Sequence, residues 1–254
     1  MDTPNLSLEG QVAIVTGGGT GIGRGIALEF AKAGAAVAVA SRRLSVLEKV
    51  AGEIRALGKR SLAIQTDISR KTDVDNLVQR VMDEFGVIDI LVNNAAILTT
   101  TPLLELSEDD WDKNIDINLK GYYLCCRAVG KGMVKRKKGS IINVASTAGF
   151  RVGTRNSTVY SIAKAGVIML ARGLARELAS HNVRVNTIAP GAVRTEMSKH
   201  LWSDPERLKQ VEANIPLGRV AEPSDIGSVA VFLASDASRH ITGSTIVVDG
   251  GLLA

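Results

Sequence analysis

Cysteine is nearly missing from this chain of 254 residues: there are two, side by side at Cys125 and Cys126. Neighbouring cysteines cannot build a disulfide framework or a thiolate metal site, so the composition fits a reducing compartment and no metal is expected. Histidine is almost as scarce. His181, His200 and His240 stand singly at apparent helix ends or in loops, and neither an HExxH nor a GxSxG pattern occurs, which removes zinc-peptidase and serine-hydrolase chemistry. No apolar run reaches the ~18 residues of a membrane span. The opening MDTPNLSLEG has Asp2 and Glu9 but no basic or apolar leader segment, so the expected protein is cytoplasmic, with no membrane partner. Acid is in mild deficit, 26 Asp+Glu against 31 Lys+Arg. The excess is confined to Lys131, Lys135, Arg136, Lys137 and Lys138; outside that run the signs balance. Placed just before Gly139 and Ser140, the run reads as a solvated last helical turn complementing the dipole, and a single charge run gives no reason to expect a nucleic-acid partner.

Repeats, Pro-rich linkers and low-complexity tracts are absent too, which leaves one domain over 1–254. What is present is a regular alternation. Short apolar runs rich in β-branched residues fall at Val12–Thr16, Ala36–Ala40, Ser61–Gln65, Ile90–Asn93, Ser140–Val144, Val183–Ile188 and Thr245–Val248. Continuous apolar strands of this kind are buried on both faces, as in a parallel sheet covered by helices. Helical periodicity fills the gaps at Ile22–Ala33, Ser45–Leu57, Asp73–Phe85, Glu108 to about Lys135, Thr158–His181 and Ser224–Ala234. Gly34 and Gly58 stand where helix C-caps belong, and Ser107 or Ser224 would serve as N-caps. The expected fold is α/β, a doubly wound seven-stranded parallel sheet with helices on both faces. Such sheets bind ligands beyond the carboxyl ends of their strands.

The first strand runs into Thr16-Gly17-Gly18-Gly19-Thr20-Gly21-Ile22-Gly23 and then directly into a helix. Glycine there lets the backbone turn tightly and approach a pyrophosphate, whose charge is stabilised by free N–H groups and the helix dipole. The spacing of Gly17, Gly21 and Gly23, TGxxxGxG, resembles that of the short-chain dehydrogenase/reductase family, and the likeness continues along nearly the whole chain. It implies a single-domain Rossmann fold. Asp67-Ile68 is similar to the family's adenine-contacting pair, and Asn93-Asn94-Ala95-Ala96 to its NNAG motif, with alanine replacing the glycine. Pro190-Gly191 with Val193 and Thr195 resembles the segment that meets the nicotinamide carboxamide, and Val248-Asp249-Gly250-Gly251 the C-terminal strand region. Beyond the second strand, where a carboxylate would accept the ribose hydroxyls of NAD, stand Ser41 and Arg42, followed by Arg43. A planar cation in that place suits a 2′-phosphate, so NADP(H) is the expected cofactor.

Tyr160-Ser161-Ile162-Ala163-Lys164 puts a tyrosine and a lysine at i and i+4, on one helix face. With 3 Tyr and 13 Lys in the chain, roughly 0.15 such pairs arise by chance, so context decides. It is supplied by Ser146, after the fifth strand, and by Asn118 in IDINLKGYYLC, which complete the family's Asn-Ser-Tyr-Lys tetrad. A carbonyl accepting hydride develops charge on oxygen and must receive a proton. The resemblance implies that Tyr160 is the acid, with its pKa lowered by Lys164 and the oxidised cofactor, and that Lys164 also holds the ribose hydroxyls. Ser146 would bind the substrate oxygen, and Asn118 would anchor a water relay. Together with Gly17, Thr20, Gly21, Ile22, Gly23, Ser41, Arg42, Asp67, Ile68, Asn94, Ala95, Pro190, Gly191, Val193 and Thr195, these are the candidate site residues.

Specificity is expected from two loops, Gly149–Asn156 and Gly191–Leu217. The second, with Met197, Leu201 and Trp202, reads either as a mobile lid over substrate or as a small packing helix. Arg151 and Arg155 would either meet an anionic group or stay solvated. The likeness is strongest to 3-oxoacyl-acyl-carrier-protein reductases and to glucose or polyol dehydrogenases, acting on a small-molecule carbonyl or alcohol. A catalytically silent dinucleotide sensor is the alternative from another class. The small and apolar faces of Thr158–His181 and of Glu108–Lys135, with the resemblance, lead to the expectation of a homotetramer.

Overall fold

A computed structural model describes residues 5–152 and 155–254; of the expected specificity loop Gly149–Asn156, positions 153 and 154 lie outside the described residues. Seven strands form one sheet: β1 (Val12–Thr16), β2 (Ala36–Ser41), β3 (Ser61–Gln65), β4 (Ile90–Asn93), β5 (Gly139–Val144), β6 (Val183–Pro190) and β7 (Thr245–Val248). The spatial order is β3-β2-β1-β4-β5-β6-β7, and every neighbouring pair is parallel. Registers such as Ile14↔Ala38 and Leu91↔Ile141 bring apolar side chains level across the sheet. β1 and β4 show no exposed position, the burial that continuous apolar runs require. Between β1 and β4 the winding changes direction, which opens a crevice at the carboxyl ends of the strands.

Helices cover both faces. α1 (Gly21–Lys32), α2 (Leu44–Ala56) and α9 (Pro223–Ala234) close one core with Ile26, Phe30, Leu47, Ile54, Ile226 and Leu233. α3 (Lys71–Phe85), α5 (Gly121–Arg136) and α6 (Thr158–Leu178) close the other with Leu77, Val81, Tyr122, Met133, Val167 and Ala171. Each fully buried side chain of this size contributes roughly 1.5–3 kcal/mol relative to exposure. α6 is long and apolar enough to span a membrane by length and composition. Here it lies on the sheet as a core helix, with Val159, Ala163, Val167, Ala171 and Ala175 buried and Ile162 and Met169 left exposed.

Several local expectations need correction. The single helix expected from Glu108 to Lys135 is three pieces: α4 (Glu108–Ile115), a π-helical turn (Asp116–Lys120) and α5. Ser107 does cap α4, accepting from Asp110 N at 3.1 Å, whereas Ser224 caps nothing. α9 begins one residue earlier, its cap being Glu222 in a reciprocal box with Asp225, and Pro223 takes the first turn, where its missing N–H costs nothing. Gly34 and Gly58 fall one residue past their caps, in left-handed backbone that suits glycine. The basic end of α5 is not wholly solvated. Arg136 pairs at 2.8 Å with buried Asp89, whose other oxygen accepts from Val12 N, so this one cation ties α5 to the foot of the sheet.

Candidate active site

The glycine turn after β1 is built by close approach. Gly17 and Gly21 have φ of 65° and 52°, which an L side chain rarely adopts, and a Cβ on Gly23 would stand 2.2 Å from Gly17 O. Thr16 Oγ1 donates to Val92 O and accepts from Asn94 N at 3.0 Å; Asn94 Nδ2 in turn donates to Thr16 O at 3.0 Å. The turn is thereby sewn to the end of β4. α1 opens at Thr20 with no side-chain cap and no acidic residue in its first turn, so its first N–H groups are left for an anion.

This turn floors a cleft of about 500 Å³. Of the expected cofactor residues, Gly17, Thr20, Gly21, Ile22, Ser41, Arg42, Asp67, Ile68, Asn94, Ala95, Tyr160, Lys164 and Thr195 line it. Gly23 does not line it and acts by letting the turn close. The Asp67 carboxylate accepts from Ser69 N and Oγ, at 3.0 and 2.7 Å, fixing the bend after β3. Arg42 is exposed and has no acidic partner among the described residues, leaving its guanidinium available. Arg43, Val46 and Thr66 also line the cleft and were not among the expected residues. Only Arg43 had a signal, its place beside Arg42.

A second cleft of about 380 Å³ adjoins the first. Pro190, Gly191 and Val193, at and just past the end of β6, belong to its wall rather than to that of the first. Ser146 lies here, and Tyr160 lines both clefts. Ser146 sits at the end of β5 and holds its own turn by accepting from Ala148 N at 3.1 Å. Tyr160 and Lys164 are one turn apart on α6 as the spacing requires. Arg151 lines the second cleft; Arg155 does not and is exposed. Met197 and Leu201 line it as well. Trp202 does not: its Nε1 donates to Thr195 O at 3.1 Å and to Ser198 Oγ at 3.3 Å, so it props the loop from outside. The loop carries two helices, α7 (Lys199–Trp202) and α8 (Pro205–Ala213), the latter capped by Asp204.

The electrostatics depart from expectation. Burial pushes the Tyr160 hydroxyl up to about 12, with a hydrogen bond to Ser146 drawing it only partly back. Burial pushes Lys164 down to about 7. The expected lowering of Tyr160 by Lys164 is not found among the protein groups. Lys164 Nζ lies 5.6 Å from the Tyr160 ring centre and donates instead to Val144 O at 2.9 Å and Tyr122 Oη at 3.2 Å. Asn118 is equally occupied. Its Oδ1 accepts from Ile97 N, and its Nδ2 donates to Ile97 O and Asn114 Oδ1, all within 2.9 Å, so its side chain is closed onto the protein.

Tyr122 was missed, since in GYYLCC it reads as one more apolar helix position. It follows Asn118 by four residues, across the π-helical turn, and its hydroxyl donates to Val144 O at 3.1 Å. Accepting from Lys164 favours the ammonium form. Tyr122→Phe is therefore expected to move the titration of Lys164 further down from about 7, by about one pH unit, as befits loss of one hydrogen bond to a charged group. Nitrogen NMR of the Lys164 side chain measures this. An unmoved titration would show that the hydroxyl only packs.

Comparison with known proteins agrees with this arrangement. A family model described as Enoyl-(Acyl carrier protein) reductase matches residues 17–253. A 3-oxoacyl-[acyl-carrier-protein] reductase of Synechocystis sp. is 42% identical over 249 residues, 97% of this chain and 98% of that protein. The structure of a short-chain type dehydrogenase/reductase from Mycobacterium marinum is similar with a TM-score of 0.93 at 37% identity, covering 98% of this chain and 97% of that one. A gluconate 5-dehydrogenase from Burkholderia cenocepacia, in complex with NADP and tartrate, is similar with a TM-score of 0.92 at 32% identity, covering 98% of each chain.

Proposed function

The chain belongs to the short-chain dehydrogenase/reductase family, oxidoreductases acting on CH–OH and C=O groups, and from that premise we propose an NADP(H)-dependent enzyme, similar to 3-oxoacyl-carrier-protein reductases, that interconverts a ketone and a secondary alcohol. One observation carries the reading: the Tyr160 side chain stands on both clefts, with Ser146 hydrogen-bonded to it. The first cleft fits a dinucleotide. Its floor is backbone that a Cβ would fill, and its uncapped helix start and free Arg42 suit a pyrophosphate and a 2′-phosphate. NADP in the similar gluconate 5-dehydrogenase supports the choice.

When bound, the nicotinamide supplies or takes the hydride at its C4. Gly17, Thr20, Gly21 and Ile22 would hold the pyrophosphate, Ser41 and Arg42 the adenosine 2′-phosphate, and Asp67 and Ile68 the adenine, with Asn94 and Ala95, packed against Gly17, toward the nicotinamide side. Pro190, Gly191, Val193 and Thr195 border the carboxamide. Ser146 hydrogen-bonds the substrate oxygen. Tyr160, protonated throughout the neutral range, delivers the proton to that oxygen in reduction. Lys164, with two of its donors engaged by Val144 and Tyr122, keeps its third for the ribose and for proton resupply.

A screen of ketones and alcohols that follows NADPH and NADH in parallel tests the reading: turnover with preference for NADPH supports it, and binding without turnover makes the protein a sensor. Arg42→Ala is expected to shift the preference for NADPH over NADH by roughly tenfold or more, the value of about one charge-assisted phosphate contact at an exposed site. Equal losses for both cofactors in steady-state kinetics would remove Arg42 from the phosphate.

A further inference from the structure

The second cleft has apolar walls and one charge. Leu98, Met197, Leu201, Val211, Ile215 and Leu252 line it. Its polar side chains are largely engaged by the loop that carries them: Ser198 Oγ donates to Val193 O, Asn214 Nδ2 donates to Gln210 O at 2.7 Å, and Thr195 Oγ1 lies 3.1 Å from Ser198 Oγ. A polyhydroxylated chain placed there would bury hydroxyls against leucine, isoleucine and methionine without partners. Beside these walls stands Arg151, one turn of chain from Ser146, exposed, with no acidic partner among the described residues and no carboxylate on the cleft wall. No acidic group among the described residues neutralises it.

We propose that Arg151 captures a carboxylate of the substrate, so that the compounds turned over are oxo acids, and the corresponding hydroxy acids, with a hydrocarbon spacer between carbonyl and acid. The inference rests on the oxidoreductase reading and names its substrate class. The carbonyl lies at Ser146 and Tyr160, the spacer runs along the apolar wall, and the charge ends on the guanidinium. A single planar fork matches the two oxygens of a carboxylate and balances its one negative charge. The geometry favours an acyl-like body over a sugar. Among the expectations from sequence, it separates Arg151, on the cleft, from Arg155, which is solvated.

The test is steady-state reduction by NADPH of 4-oxopentanoate, 5-oxohexanoate and 6-oxoheptanoate, each against its primary amide, with wild type, Arg151→Lys and Arg151→Gln. Amide and acid share shape and carbonyl reactivity, so their ratio isolates the charge. For one or more lengths the acid should exceed the amide at least tenfold in kcat/KM, chiefly through KM, with a smaller ratio in Arg151→Lys and a ratio near one in Arg151→Gln. An unchanged melting temperature in the variants shows that the loop change is local. Turnover of acids and amides at equal rates in wild type, or an acid preference that survives in Arg151→Gln, overturns the proposal and leaves the oxidoreductase reading standing. A preference for 5-oxohexyl phosphate over 5-oxohexanoate overturns the carboxylate assignment. Bound NADPH with none of the six compounds reduced overturns the oxo-acid assignment, and the screen of ketones and alcohols then decides the oxidoreductase reading by itself.

Discussion

Tyr160→Phe is expected to lower kcat for carbonyl reduction by on the order of 10² or more while leaving NADPH affinity and the fold intact. The phenyl ring keeps the packing of α6 between the two clefts; what disappears is the phenolic hydroxyl that Ser146 hydrogen-bonds. Ser146 remains and still hydrogen-bonds the substrate oxygen, which is why a residual rate survives. The pH dependence of the wild type follows from the same groups. Tyr160, pushed up to about 12, is a competent acid at every neutral pH, whereas Lys164, pushed down to about 7, is charged only below that value. Both groups donate only in their protonated forms, so reduction should decline as pH rises through about 7, where the lysine is lost first. A rate flat from pH 6 to pH 9 would separate Lys164 from proton supply, and undiminished turnover in Tyr160→Phe with an intact circular dichroism spectrum would remove Tyr160 from catalysis.

The inner strands were legible because each is a largely apolar run buried on two faces, and the edge strands β3 and β7, only partly buried, were legible from their β-branched and apolar residues. The glycine turn and the Tyr160 to Lys164 spacing were legible for a different reason: they are set by local backbone geometry, which sequence spacing encodes directly. What failed depended on contacts across the chain. Helical periodicity runs straight through Asp116–Lys120, so the π-helical turn, with Asn118 closed onto Ile97 and Asn114, left no mark on it. Trp202 shares an apolar stripe with Met197 and Leu201, yet it does not line the second cleft: its indole N–H needs an acceptor and finds Thr195 O, on a residue of the wall. Tyr122 and Lys164 are 42 positions apart, and no local rule pairs them. The acidity of the site escaped for a related cause: charge proximity was readable, whereas the stronger effect, burial, is a property of the assembled fold.

Gly23→Ala is expected to raise the dissociation constant for NADPH by about 10² and to lower the melting temperature, through one methyl group. Gly23 does not have a positive φ, so alanine suits its helical backbone and gains slightly in propensity. The obstacle is steric. The new Cβ would lie 2.2 Å from Gly17 O and 2.5 Å from Asn94 Nδ2, and the first of these is main chain that cannot swing aside. Gly17 is held from the other side by its N–H to Ala40 O at 2.7 Å, and Asn94 by its bond to Thr16 O. Relief therefore requires the turn to open away from the start of α1, which displaces the N–H groups that would hold the pyrophosphate. Overpacking of this kind costs about 1–3 kcal/mol, and with no flexible side chain to absorb it the upper end applies, about a hundredfold in affinity. Gly52 on α2 supplies the control. A Cβ there meets nothing within 4 Å, so Gly52→Ala should raise stability by roughly 0.5–1 kcal/mol and leave NADPH binding alone. Calorimetric titration of both variants decides the matter: an unchanged NADPH affinity in a folded Gly23→Ala protein would mean that the turn does not hold the pyrophosphate.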